Sequence, residues 1–329
     1  MSELSDLVPL PRIWEQMDQV ERRLFEVTTA GDRSLTEIAQ HLLTAGGKRY
    51  RPLLALLAAQ FGPASDHRPV EAAVSVELIH VGSLYHDDVI DEADTRRGAI
   101  SANTNWENTV AILAGDFLMA RASETAATHL SQEAVRLLAS TYAELVEGQT
   151  RELGLDFDLD HTITDYEQVI GQKTASLIRT SARLGAMAAD ADPSAVDAFT
   201  AWGWEVGMVF QIADDALDLT STSAEIGKPA GSDILEGKFT LPVLLALEGP
   251  DGDRIRKLLE QPRPYPDEAV GEVIDLVRSG GFVTESLNSA MTRLRRAEDA
   301  LDTLPDIPAR DVLSTLGKYL VDRVTRAGG

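Results

Sequence analysis

Two five-residue stretches, Asp87-Asp88-Val89-Ile90-Asp91 and Asp214-Asp215-Ala216-Leu217-Asp218, each set three carboxylates inside a run that otherwise reads as an apolar helix. Apolar helices fold by burial, so six acids on two of them restrict how such a chain can close. On a helix, positions i and i+4 share a face. Asp87 therefore projects beside Asp91, and Asp214 beside Asp218, with Asp88 and Asp215 on the flank. Oxygen ligands placed this way suit Mg2+, which keeps its waters and is commonly shared with substrate phosphates. A solvated acidic face or an overlong helix cap would explain one such cluster. Two, each within an apolar helix, call for cations.

Helical periodicity dominates the rest. Ala- and Leu-rich stretches fall near 34 to 45, 52 to 61, 70 to 92, 107 to 129, 131 to 153, 164 to 189, 193 to 220, 240 to 247, 265 to 278, 281 to 303 and 307 to 325. Alternating strand patterns are nearly absent. Breaks are expected at Gly46-Gly47, Gly62-Pro63, Arg96-Arg97-Gly98, 154 to 163, 227 to 238, and the Pro-, Gly- and charge-rich 249 to 264. None of these resembles an interdomain linker, and no tandem repeat is present. The expectation is an all-α single domain over residues 1–329, with about ten to twelve helices.

Composition removes several classes. With 329 residues and 44% hydrophobic content the chain can bury a sizeable core. It has no cysteine, which excludes disulfides, thiolate zinc sites and a cysteine nucleophile. The opening MSELSDLVPLPRIWEQMDQVERR lacks a signal-peptide pattern, and no apolar run approaches a membrane span. A soluble, cytoplasmic protein with no transmembrane segment is expected. A formal charge of -23 argues against nucleic-acid binding and against strong attraction to anionic membranes. If the substrate is itself an anion, local cations must receive it.

Such cations occur at motif-like places. Gly46-Gly47-Lys48-Arg49-Tyr50-Arg51-Pro52 joins a turn to three bases ahead of a helix, and helix N-termini favour phosphate. Arg96-Arg97 follows the first acidic cluster closely enough to fold back over it. Lys173-Thr174 lies within a helix, and Gly227-Lys228-Pro229 leads through Ser232-Asp233 to Gly237-Lys238, a basic flap or a plain connecting loop. In the first acidic helix His80, Ser83, Leu84, Asp87 and Asp91 form one stripe, and in the second Gln211 stands one turn before the acids.

These residues carry a resemblance. GGKRYRP at 46 to 52, ELIHVGSLYHDDVIDEADTRRG at 77 to 98, GQ at 148 to 149, KT at 173 to 174, FQIADDALD at 210 to 218, GKPAGSD at 227 to 233, GKFTLP at 237 to 242 and YLVDR at 319 to 323 resemble the trans-type polyprenyl diphosphate synthases, in order, across residues 46 to 323. The one departure is Ala213, where a larger aliphatic residue is usual.

The resemblance implies an isoprenoid synthase helical bundle around a central cavity, a homodimer, and about three Mg2+ per active site. It implies head-to-tail condensation of isopentenyl diphosphate with an allylic diphosphate, and peripheral membrane contact for product release. Asp87 and Asp91 would hold a Mg2+ pair with Asp88 in support, and Asp214 a third, with Asp215 and Asp218 direct or through water. Arg96, Lys173 and Lys238 would hold the allylic diphosphate, helped by Lys228 on the flap. Lys48, Arg51, Arg97 and His80, with the Gly47 turn, would hold isopentenyl diphosphate. Thr174 and Gln211 would offer oxygen dipoles to the allylic cation, and released pyrophosphate would take the proton.

Product length should follow the depth of an apolar tunnel below the first cluster. Four residues of helix advance about 6 Å, so Ser83 lies one turn below Asp87, and its small side chain leaves that wall open. In short-chain relatives one or both of the positions held here by Gly82 and Ser83 are aromatic. A product longer than C20, a quinone side-chain precursor, is expected. Phe117 or Met119 on the facing helix could set an earlier floor, giving a short-chain farnesyl or geranylgeranyl diphosphate synthase. Close helix packing is a second reading of Gly82 and Ser83. A class I terpene cyclase and a non-catalytic subunit of a heteromeric synthase are the remaining alternatives. The all-Asp second cluster argues against the cyclase, and the full set of carboxylates against the subunit.

Overall fold

A computed structural model describes residues 2–64, 66–220 and 230–327. The fold is all-α, with a single two-stranded ribbon among the described residues. The chain divides into two compact units, one made of Met1–Tyr142, Leu177–Gly203 and Thr303–Leu313, the other of Ala143–Ser176, Trp204–Asp302 and Ser314–Gly329. No described helix is long and apolar enough to cross a membrane.

The first unit is organised on α5 (Arg68–Ile90). From Pro69 to Ile79 this helix is buried on every side, as expected for a helix apolar all round. Toward its C-terminal end a partly accessible stripe opens at His80, Ser83, Leu84 and Asp87, the stripe expected from their spacing. Around it stand α2 (Pro11–Val27), α3 (Arg33–Thr44), the apolar α4 (Tyr50–Ala58) and α7 (Asn108–His129). Where α5 meets α7, a side chain on Gly82 would come 3.2 Å from Gly115 O and 2.9 Å from the Met119 methyl. Gly82 therefore serves close helix packing, and Met119 occupies the space beside it.

Two helices depart from the expectation. The first, α2, lies in a stretch read as having no helix. It buries Ile13, Met17, Val20, Leu24 and Val27, a single narrow apolar row in an otherwise charged sequence. The segment 249 to 264, read as a connection, contains α14 (Gly252–Leu259), which buries only Gly252, Ile255 and Leu259. Short helices α1 (Ser2–Leu7), α6 (Ala102–Trp106) and α12 (Ser232–Glu236) also raise the number above the expected range.

The expected break at Arg96-Arg97-Gly98 is a hairpin, β1 (Thr95–Arg96) paired antiparallel with β2 (Ala99–Ile100). Arg97 and Gly98 both take positive φ, 55° and 77°, as a two-residue turn matched to strand twist requires.

The second unit takes the C-terminal parts of α8 (Gln132–Leu155) and α11 (Pro193–Thr220), with α9 (Ile163–Ile170). Thr162 and Asp165 cap α9 reciprocally. Between α9 and α10 (Ser176–Ala188) the backbone widens into a π-helical turn, Gly171–Ala175. Such turns recur at functional sites, and this one carries Lys173 and Thr174. The remaining helices are α13 (Leu241–Leu247), α14, α15 (Asp267–Ser279), α16 (Phe282–Leu301) and the C-terminal part of α17 (Pro308–Ala327).

Candidate active site

In the first unit the acids stand at the C-terminal end of α5. Asp87 is half-buried and Asp91 exposed, and the Asp91 N–H donates to Asp87 O at 2.8 Å. Asp88, a hundred degrees round the helix, is buried and accepts from Arg96 Nε at 2.6 Å. Burial raises the Asp88 pKa and the Arg96 charge opposes that shift. Asp88 Oδ2 is buried with no hydrogen-bond partner among the described residues.

Below the acids the cations gather. Arg97 NH1 donates to Leu42 O at 3.2 Å and also reaches Gly46 O. Its guanidinium lies across Gly47, where a side chain would stand 2.9 Å away, on a backbone at φ 148°. Arg51 is pushed down to about 10 by burial, with the Arg97 charge adding to the effect, and its buried Nε has no partner among the described residues. Burial, with the charges of Arg51, Arg97, Arg49 and Arg96, holds His80 well below the ordinary imidazole range. Lys48 is exposed at the edge.

Arg49, given no role from sequence, is the internal anchor of this group. It donates to Glu21 at 2.6 Å and to Glu77 at 3.1 Å, and caps α4 at φ 48°. Glu77 is buried, and burial raises its pKa against the pull of three arginines. Several cations thus face few internal carboxylates here.

In the second unit the layout of the acids recurs. Asp214 is exposed, 3.9 Å from Arg323. Asp215 is buried and accepts from Tyr166 OH at 2.5 Å and from Gln211 Nε2 at 2.8 Å. Thr174 Oγ1 donates to Gln211 Oε1 at 2.8 Å, which extends the network to the π-helical turn. Asp218 accepts from Ser232 Oγ at 2.7 Å and from the Asp233 N–H at 3.4 Å. Burial raises Asp215 to about 7 and Asp233 to about 8; nearby carboxylates add to both, Asp215 and Asp218 among them for Asp233.

A pocket in this unit is lined by Asp215, Asp233, Tyr166, Lys173, Lys238 and Thr174, among others. Lys173 pairs with Glu152 and Lys238 with Glu236. Gly148, of the GQ pair, lets the Lys173 backbone approach: a side chain there would meet Lys173 N at 2.7 Å. Lys228 lies outside the described residues. Sequence reasoning gave no role to Asp233, Tyr166 or Glu152; only Asp233 had a signal, its place in GKPAGSD.

These acids fit a shared divalent cation. Among the described residues no three His, Asp or Glu side chains converge as a closed metal site. Mg2+ does not need one, since it takes one or two carboxylates and fills the rest with water and phosphate oxygens. The middle Asp of each cluster is buried, while Asp91 and Asp214 are exposed and Asp87 and Asp218 partly accessible.

The sequence model of the Polyprenyl synthetase family matches residues 32–277. This chain belongs to that family. It is a trans-prenyltransferase. The polyprenyl synthetase chain is 43% identical over 326 residues to the nonaprenyl diphosphate synthase of Mycobacterium tuberculosis, covering 98% of this chain and 96% of the relative. It is 39% identical to heptaprenyl diphosphate synthase component 2 of Geobacillus stearothermophilus, covering 94% and 96%. Its fold is similar to a geranylgeranyl pyrophosphate synthase from Corynebacterium glutamicum, solved with calcium and isoprenyl diphosphate. That match has a TM-score of 0.85 and 42% identity, over 95% of this chain and 96% of that one.

Proposed function

We propose that this prenyltransferase condenses isopentenyl diphosphate head-to-tail with an allylic diphosphate, with Mg2+, to make an all-trans polyprenyl diphosphate longer than C20. The observation that carries the substrate reading is the cluster of Arg51, Arg97 and neutral His80 below the first acids, a set short of internal anions. It takes the diphosphate of isopentenyl diphosphate, with Lys48 at its edge. Arg96, Lys173 and Lys238 take the allylic diphosphate, helped by Lys228.

About three Mg2+, held by Asp87, Asp91 and Asp214 and supported by Asp88, Asp215 and Asp218, would neutralise the leaving diphosphate. The allylic C–O bond breaks with its electron pair on that group, and arginine and lysine side chains receive the developing charge. Asp88 fixes Arg96, while Asp215 keeps Gln211 oriented so that its amide oxygen, with Thr174, can face the allylic carbon. Isopentenyl diphosphate supplies the new carbon-carbon bond and then loses a proton to the released pyrophosphate, so no side-chain base is required.

Length rests on Ser83. It is partly accessible on the stripe below Asp87, its hydroxyl turned back to His80 O at 2.9 Å, and it places no bulk in the way. The nonaprenyl relative supports this reading. A short-chain product is the second reading, favoured by Met119, whose methyl lies over Gly82. We further propose one domain over 1–329, since four of the five boundaries between the units fall inside helices, α8, α10, α11 and α17, and only the one at 302/303 falls in a connection. A homodimer would cover Ile112 and Leu113, exposed on α7, unless a hetero-partner takes that face. The setting is cytoplasmic, with product released by peripheral membrane contact.

The test is turnover of the purified protein with Mg2+, labelled isopentenyl diphosphate and farnesyl or geranylgeranyl diphosphate, read as product chain length. Products beyond twenty carbons are expected, and Ser83→Phe should shorten them. Products stopping at fifteen or twenty would keep the chemistry and put the floor at Met119. No elongation by the protein alone would point to a required partner.

A further inference from the structure

Lys238 owes its position to a loop on which the reading above places nothing. It follows α12, whose end is a Schellman motif: Gly237, at φ 83°, donates to Ile234 O at 3.0 Å, and the Lys238 N–H donates to Asp233 O at 2.8 Å. This fixes the lysine on its N-terminal side. The carbonyls on either side of it, those of Gly237 and Phe239, are both met by the loop between α8 and α9. The Phe157 N–H donates to Gly237 O at 2.8 Å, and His161 Nε2 lies 3.1 Å from Phe239 O.

The loop is itself held firmly. Phe157 adopts φ 63°, a conformation that an aromatic residue rarely takes and that surrounding contacts must maintain. Its ring lies on Gly237, where a side chain would stand 2.5 Å from the ring, and beneath the Arg263 guanidinium at 3.8 Å. His161 Nδ1 lies 2.6 Å from Asp158 O. Arg256 donates to Asp160 at 2.9 Å and to Leu159 O at 3.2 Å, tying the outer side to α14. All of these residues belong to the second unit. Plain connecting loops do not need an aromatic in a left-handed conformation, a stacked cation and a histidine between two carbonyls.

We infer that the loop 156–162 is a positioning element for Lys238, with Phe157 and His161 holding the carbonyls on either side of the lysine and so setting where its ammonium stands. The inference rests on the reading of Lys238 as a ligand of the allylic diphosphate. Phe157 acts on the Gly237 backbone, and His161, which also lines the pocket, on the Phe239 carbonyl. A lysine is a point charge on a flexible stem, so its usefulness to a departing diphosphate depends on where its backbone is fixed.

The experiment pairs native-state trypsin cleavage after Lys238 with steady-state kinetics for both substrates. His161→Leu removes the donor to Phe239 O, His161→Gln retains an N–H group at that reach, and Phe157→Gly removes the ring while tolerating φ 63°. In His161→Leu and Phe157→Gly, cleavage at Lys238 is expected to quicken about tenfold, and KM for the allylic diphosphate to rise by a similar factor, with KM for isopentenyl diphosphate unchanged. His161→Gln should stay near the parent protein. Unchanged cleavage at Lys238 in both variants would overturn the inference, as would acceleration shared equally by sites in the first unit. Faster cleavage at Lys238 alone with an unchanged allylic KM would uphold the clamp and remove Lys238 from the diphosphate site.

Discussion

The two Asp-Asp-x-x-Asp clusters share a layout and differ in what answers the middle carboxylate. Asp88 is met by the Arg96 guanidinium at 2.6 Å, whereas Asp215 is met by a phenol and an amide. A guanidinium cancels the charge of a buried carboxylate; neutral donors only share it. The surroundings amplify the contrast. Burial, with neighbouring arginines adding to it, brings Arg51 down to about 10 and His80 well below the imidazole range in the first unit, while burial, with neighbouring carboxyls adding to it, raises Asp215 and Asp233 to about 7 and 8 in the second. Arginines therefore gather around His80 in the first unit, and carboxyls around Asp233 in the second.

Removing an outward carboxylate is the most severe way to probe that contrast. Asp87→Ala and Asp214→Ala should each lower kcat on the order of a thousandfold, the scale seen when a preorganised charge-stabilising group is lost. Because Asp214 is exposed and Asp87 half-buried, Tm should move by less than about 2 °C. Full turnover in either variant would remove that cluster from the reaction. Next in size is Gly47→Ala, which drives a methyl into the Arg97 guanidinium from 2.9 Å. KM for isopentenyl diphosphate should rise about tenfold and KM for the allylic substrate hold. An equal rise in both would mean that the arginine cluster does not discriminate between the diphosphates.

Most of the first unit's contribution was legible in sequence because helical spacing alone places His80, Ser83, Asp87 and Asp91 on one stripe. The middle acids were less legible. Spacing puts Asp88 and Asp215 on the flank, but whether a flank faces protein or solvent depends on distant partners, Arg96 on a hairpin and Tyr166 on α9. Arg49 was unreadable for the same reason: its partners Glu21 and Glu77 come from α2 and α5, and α2 itself carries only one apolar row in a charged segment. Gly82 was legible only in part: family likeness offered it as a length determinant and close packing was the second reading, and the crossing with Gly115 adds the contact that spacing alone does not give.

Titration probes the contrast more gently. A carboxyl whose folded pKa is raised contributes stability that is complete below its ordinary value and lost as pH rises through the folded one. For Asp233 that window runs from 3.8 to about 8. Metal-free protein should therefore lose Tm across this range, and Asp233→Asn should lose less, the gap being widest above pH 8. Mg2+ with pyrophosphate should narrow it by supplying the missing cation. A gap that persists unchanged would mean that Asp233 faces no metal.

The smallest effect should come from His80, and its sign is opposite. A histidine whose folded pKa is depressed leaves the unfolded chain binding the extra proton, so stability is complete above 6.5 and falls as pH drops below it. One proton is at stake, and only on the acid side. His80→Gln should flatten that limb of the Tm profile and leave the alkaline side as it was. Inorganic pyrophosphate alone, without metal, should partly flatten the same limb in the parent protein, because an anion among Arg51, Arg97 and Arg49 offsets the charges that add to burial in lowering His80. If pyrophosphate alone left the acid limb unchanged, the arginines around His80 would not receive a diphosphate.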